Sequence, residues 1–209
     1  IGRDGISTES MSSDYLAVLE YVDAQDAVLL AHSMGGFLAI AAVLDVPGVA
    51  ERLGGLILMS TFPGDVLRGA PHNKAQIPLI KLGMLQAMVA NDTIGTVFGA
   101  GLCGDNPSPA MVQVFLDTFR AADHTSLLPI LKAFGDEDRG DRLIDIAVPT
   151  IVLCGTKDTL TPPWQSQRIA DAIPGAQVWW LPGAGHMLNW ESPDAIVEAV
   201  SDLSATPAR

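Results

Sequence analysis

The stretch "VLLAHSMGGFLAIAAVL", residues 28–44, changes character in its middle. It opens inside "AVLLA" at 27–31, a short unbroken apolar run suited to a parallel strand buried on both faces. From about Gly35 to Leu44 it reads as a helix, which Pro47-Gly48 ends. Ser33 sits at the changeover, with Ala31, Gly35 and Gly36 around it. A strand that turns sharply into a helix strains the backbone of its turning residue, and bulky neighbours would collide there. Small residues permit the turn and leave the hydroxyl projecting above the sheet edge. The helix behind it aims its free N–H groups and positive dipole end at the same spot. A negative charge developing on a group held by Ser33 is stabilised there.

Outward from this bend the chain alternates strands with helices. Residues 13–23, "SDYLAVLEYVD", place Tyr15, Leu16, Leu19 and Val22 on one helical face, with Ser12 or Ser13 as the cap. "LGGLILMST" at 53–61, "VPTIVLCGT" at 148–156 and "AQVWWLP" at 176–182 are further buried strands. "PPWQSQRIADAI" is a helix ended by Pro174-Gly175, and a last helix runs from Pro193 to about Leu203, capped by Ser192. This order predicts an α/β fold with a parallel sheet flanked by helices and right-handed crossovers. Residues 64–145 interrupt the alternation. "IPLIKLGMLQAMVAN", "PAMVQVFLDTFRAA" and "SLLPILKAF" are amphipathic helical segments with Leu, Met and Phe on the apolar face. They are expected to form a helical lid over the strand ends, where ligands of open α/β sheets bind. The expected division is a core of 1–63 and 146–209 with an inserted lid, 64–145.

The pattern A-H-S-M-G-G at 31–36 is a variant of the nucleophile elbow G-x-S-x-G, with Ala31 in the place of the first glycine. At these residues the sequence resembles the α/β-hydrolase family, and the resemblance extends along the whole chain. It implies a serine nucleophile followed in chain order by an acid and a histidine. His186 lies in "LPGAGHMLNWESPDAI", after the last strand and before the last helix, and its G-x-G-H stretch matches the family's histidine loop. Asp158 lies in "LCGTKDTLTPP", whose G-x-x-D-x-x-x-P arrangement resembles the family's acid turn. The resemblance therefore implies Ser33 as nucleophile, His186 as base and Asp158 as the acid that orients it. Asp65, after the earlier strand, is the rival acid. His32 is expected to support or pack, and His72 and His124 to be packing or surface residues of the lid. The acidic run "GDEDRGD" at 135–141 reads as solvated surface. The backbone N–H of Met34 would be one donor to the oxyanion. The other comes, in the family, from a loop after an earlier strand, and "GRDGIS" at 2–7 looks like the tail of the segment after the fourth strand. The resemblance thus implies the C-terminal portion of the fold, with the N-terminal strands missing.

Composition narrows the partners. Of 209 residues, 48% are hydrophobic and 17% charged, which suits one sizeable core. The formal net charge of -12 disfavours nucleic acid and anionic lipid surfaces. Two cysteines, Cys103 and Cys154, lack the spacing of a structural zinc site, and Cys154 reads as a small buried strand residue. No apolar run reaches the roughly 18 residues of a membrane span, and the expected location is cytoplasmic. The expected activity is hydrolysis of a carboxylic ester or related acyl bond in a moderately apolar small molecule, with no metal or organic cofactor. The alternative is a non-catalytic ligand-binding member of the fold or an inactive fragment. Composition does not separate ester, lactone, thioester and carbon–carbon bond cleavage.

Overall fold

The computed structural model describes residues 6–65, 87, 89–123 and 126–205. His72, His124 and most of the helical segment expected at 77–91 lie outside these residues. Among the described residues four strands form one sheet in the order β1-β2-β3-β4, every neighbouring pair parallel. They are β1 (Ala27–His32), β2 (Leu53–Met59), β3 (Thr150–Gly155) and β4 (Gln177–Leu181). The helices around them are α1 (Thr8–Tyr21) and α2 (Met34–Asp45) before β2, and α6 (Pro163–Ala172) between β3 and β4. After β4 come the short α7 (Leu188–Glu191) and α8 (Pro193–Ala205). Between β2 and β3 the described residues form α3 (Asp92–Ala100), α4 (Pro109–Ala121) and α5 (Leu128–Asp136).

The apolar runs of β2 and β3 are continuous because both their faces are covered. Strands β1 and β4, expected as buried strands, flank them and are only partly buried, with Leu30 and Trp180 exposed. Leu56 and Leu58 of β2 face a core with Ala39, Ile40, Leu143, Ile146 and Ile169. Ile57 and Met59, the alternate residues, face a second core with Leu188, Ala199 and Leu203. All four β2 side chains are buried, and truncating any one to alanine removes roughly 2–5 kcal/mol. The helices between β2 and β3 carry a cluster of their own. Leu102, Met111, Val112 and Leu116 pack there with Met187 of the histidine loop. A separate group of Phe37, Phe62 and Phe134 stacks α5 against α2.

One expectation is corrected and another is extended. Helix α1 begins five residues earlier than residue 13 and is capped by Ser7, whose side chain accepts the Ser10 amide; Ser12 instead turns its hydroxyl onto the Thr8 carbonyl at 2.6 Å. The run at 135–141 is exposed at Asp136, Asp138 and Asp141, as expected, and its middle is also an anchoring network. Asp138 pairs with Arg168 at 2.7 Å, Glu137 accepts from Thr8 at 2.9 Å, and Arg139 bridges Glu137 and Asp45 at 2.8 Å each. Five charged groups, Asp45, Glu137, Asp138, Arg139 and Arg168, partly shielded, fasten the end of α5 to α2 and α6. Ser192 stands between α7 and α8, and its carbonyl accepts the Ile196 amide, as a residue at a helix entrance does.

Gly36, in the first turn of α2, lies against the chain just beyond β2. A Cβ there would stand 2.4 Å from Thr61 Oγ1 and 2.6 Å from two of its carbons. Thr61 is fully buried and cannot swing away. Gly36→Ala is therefore expected to cost about 1–3 kcal/mol and lower the melting midpoint by roughly 4–10 °C. A thermal melt unchanged from the parent would show that the helix can slide from the strand at no cost.

Candidate active site

Ser33 joins β1 to α2 with φ 54° and ψ -121°, a conformation normally left to glycine. Neighbouring groups hold it there. Its amide donates to the Met59 carbonyl at 3.0 Å, and its carbonyl accepts from the amides of Gly36 and Phe37. The Thr61 hydroxyl donates to the same carbonyl at 2.6 Å. Two residues further, the Tyr15 hydroxyl donates to the Gly35 carbonyl at 2.8 Å. Burial pushes the Tyr15 pKa up, so this donor keeps its proton. The amide of Met34 opens the first turn of α2, among the N–H groups that a helix leaves without an internal acceptor.

The loops after β3 and β4 meet this bend. His186, on the loop between β4 and α7, is 3% exposed and places Nε2 3.0 Å from Ser33 Oγ. Its Nδ1 lies 3.0 Å from Asp158 Oδ2. Asp158, also 3% exposed, follows β3 in a turn that folds onto its own carboxylate. Oδ1 accepts the amides of Leu160 and Thr161 at 2.9 and 2.8 Å, and Oδ2 accepts the Thr161 hydroxyl at 2.7 Å. Burial alone would raise the Asp158 pKa. The hydrogen bond and charge of His186, with the two donors of Thr161, outweigh it and hold the carboxyl below its ordinary value. Three residues expected from the sequence thus come together at the C-terminal ends of β1, β3 and β4. Asp65 does not share the contact: the carboxylate on His186 is that of Asp158, while the Asp65 amide donates to the Glu137 carbonyl.

His32 packs behind the pair. Its Nε2 lies 2.8 Å from the His186 carbonyl, so that nitrogen carries the proton and donates. The two imidazole rings are 4.8 Å apart. Burial, and then the charge His186 would carry, lower the His32 pKa to about 4 against the backbone bond and Asp158, which raise it. The sign follows from linkage. Between an unfolded value near 6.5 and the folded value, the unfolded chain binds the extra proton, so stability is full above about pH 6.5 and declines toward pH 4. His32→Phe is expected to be less stable than the parent at pH 7, with the gap between their melting midpoints closing by pH 4.5. A gap that stays constant across this range would remove the titration argument.

Sequence reasoning missed several supporting groups. Thr61, Thr161 and Tyr15 act through single hydroxyls on residues of the bend or the acid turn, and no spacing rule marks them. Glu191 lies on α7, four residues long and hidden within what reads as a loop. Among the described residues no group of three or more His, Cys, Asp and Glu side chains is arranged to hold a metal ion, and no helix is long and apolar enough to cross a membrane. Cys103 and Cys154 are both buried thiols outside any disulfide.

Comparison with known proteins adds the family. A model described as the alpha/beta hydrolase family matches residues 2–199. The chain is 28% identical over 216 residues to a 2-hydroxy-6-oxononadienedioate/2-hydroxy-6-oxononatrienedioate hydrolase of Paraburkholderia xenovorans, covering 97% of this chain and 70% of that one. It is 30% identical over 200 residues to the hydrolase of the same name from Cupriavidus pinatubonensis, covering 89% of this chain and 64% of that one. In structure it resembles an esterase from Exiguobacterium antarcticum, with a TM-score of 0.84 and 22% identity over 98% of this chain and 76% of the other. With a family match along nearly its whole length and a parallel sheet that carries a strained serine bend, the chain belongs to the alpha/beta hydrolase family.

Proposed function

We propose that the protein is a serine hydrolase that cleaves a carboxylic ester or related acyl bond through Ser33, His186 and Asp158. The supporting observation is the hydrogen-bonded line from Ser33 Oγ through His186 to Asp158, 3.0 Å at each step. A serine hydroxyl attacks only when a base takes its proton, and an imidazole at this distance can do so. The Ser33 oxygen bonds to the substrate carbonyl carbon as its proton passes to His186 Nε2. The carbonyl oxygen becomes an oxyanion, for which the Met34 amide is one donor. Asp158 stabilises the imidazolium. The tetrahedral centre collapses, the alcohol departs with the proton from Nε2, and an acyl group remains on Ser33. Water, deprotonated by His186, then releases the acid and restores the hydroxyl. The described helices between β2 and β3 serve as the lid in this reading, and their apolar residues suit a moderately apolar small molecule. The location we propose is cytoplasmic.

The names of the two bacterial relatives favour a second reading, cleavage of a carbon–carbon bond beside a carbonyl by the same three groups. One experiment tests the shared step. A fluorophosphonate probe is expected to label Ser33, identified by mass spectrometry of the modified peptide. A folded protein whose Ser33 stays unlabelled would end the serine hydrolase reading. A panel of chromogenic esters, thioesters, lactones and vinylogous diketones then separates the bond classes.

A further inference from the structure

We propose that Glu191 is a positioning residue for His186, locking the histidine loop onto the chain segment that leads from α3 to α4. The proposal rests on the reading of His186 as the base. Three backbone amides converge on this one carboxylate. Oε2 accepts from Gly104 at 2.6 Å and from Gly185 at 2.9 Å, and Oε1 accepts from Met187 at 3.0 Å. Gly185 and Met187 flank His186 on either side. Both polar groups of His186's own backbone are also engaged, its amide by the Leu102 carbonyl at 2.8 Å and its carbonyl by His32. The torsions of residues 185–187 set the direction of the His186 Cα–Cβ bond, and each neighbour is pinned by the same side chain.

The lock reaches beyond the loop. Gly185 and Gly104 meet backbone to backbone: a Cβ on Gly185 would lie 2.4 Å from the Cys103 carbonyl carbon and 2.5 Å from the Gly104 nitrogen. Glu191 Oε2 spans this contact by accepting one amide from each side. The Thr159 hydroxyl donates to the Gly101 carbonyl at 3.3 Å, so the acid turn is tied to the same segment. A shift of residues 101–104 would therefore be felt at the imidazole. A carboxylate suits this position because it only accepts, and all three partners only donate. Glutamine has one accepting oxygen and an amide group that must face at least one N–H.

Glu191→Gln tests this. The expected result is a fall in kcat on p-nitrophenyl acetate of about 10- to 100-fold, with KM within about twofold of the parent. The far-downfield proton resonance of the His186–Asp158 hydrogen bond should broaden or disappear, while circular dichroism keeps the fold. A folded variant with unchanged kcat and an unchanged resonance would overturn the proposal. So would a loss of activity explained entirely by a lower folded fraction. If Glu191→Gln does not fold, Glu191→Asp keeps the charge with a shorter reach and is judged by the same two readouts. Fluorophosphonate labelling of the parent keeps the two ideas apart. An unlabelled Ser33 in the parent refutes the serine hydrolase reading, and the imidazole resonance, which needs no turnover, still decides what Glu191 does.

Discussion

Replacing Ser33 with alanine is expected to abolish fluorophosphonate labelling and reduce ester turnover at least about 1000-fold. His186→Ala should fall to a similar floor, and the double variant should fall little further. The hydroxyl and the imidazole act on one proton, so removing either disables the same step. The residual rate reflects binding and the helix N-terminus alone. Additive losses, with the double variant far below each single one, would mean that the two side chains work in separate steps. Backbone strain gives a second readout. At φ 54° and ψ -121°, Ser33 occupies a region where side chains cost of order 1–3 kcal/mol. Ser33→Ala keeps that cost, since it retains a Cβ. Ser33→Gly relieves it and gives back part through the freedom glycine gains in the unfolded chain. The glycine variant is expected to be inactive and about 1 kcal/mol more stable than the alanine variant. Equal melting midpoints for the two would show that the turn stores no strain in the serine itself.

The elements legible in the sequence are those whose ends carry punctuation. Pro47-Gly48, Pro162-Pro163 and Pro174-Gly175 bracket α2 and α6, and the structure ends or starts helices within a few residues of them. The three proposed catalytic residues were legible too. The family resemblance at the elbow, the acid turn and the histidine loop singled them out, and each follows the end of an apolar strand run, where such junctions line up along one edge of a parallel sheet. The start of α1 was not legible. "STESMSSD" offers serines at 7, 10, 12 and 13, and a serine hydroxyl bonds the backbone either as a cap or back onto the preceding turn. Ser7 and Ser12 do one each, and only tertiary contact, such as Thr8 with Glu137, favours the longer helix. The acidic run at 135–141 is exposed at three aspartates, as its charge density suggests, but its ion pairs are not legible in the sequence. Its partners Arg168 and Asp45 lie 30 and about 90 residues away in the chain. Glu191 escaped notice because a side chain that binds backbone amides, one of them 87 residues away, leaves no periodic trace.

Asp158→Asn should lower kcat by about 10,000-fold with little change in fold, and the geometry of the acid turn explains why so small a change acts so strongly. In the parent, Oδ1 takes the amides of Leu160 and Thr161, and Oδ2 takes the Thr161 hydroxyl and faces His186 Nδ1. An asparagine must turn its single oxygen to the two amides, because nothing else there can satisfy them. Its NH₂ then faces His186. Nδ1 has to accept instead of donate, so the proton of the neutral ring moves to Nε2 and points at Ser33. The base presents a hydrogen where it needs a lone pair. Stability gives an independent check of sign. The folded Asp158 carboxyl titrates below its ordinary value, so its contribution is present above an unfolded pKa near 3.9 and is lost as pH falls through the folded value. The parent should therefore be more stable than Asp158→Asn at pH 7, and the difference should shrink below pH 4. If Asp158→Asn retains kcat within about tenfold of the parent, the orienting acid is another carboxylate, and Asp65→Asn becomes the variant that must lose activity instead.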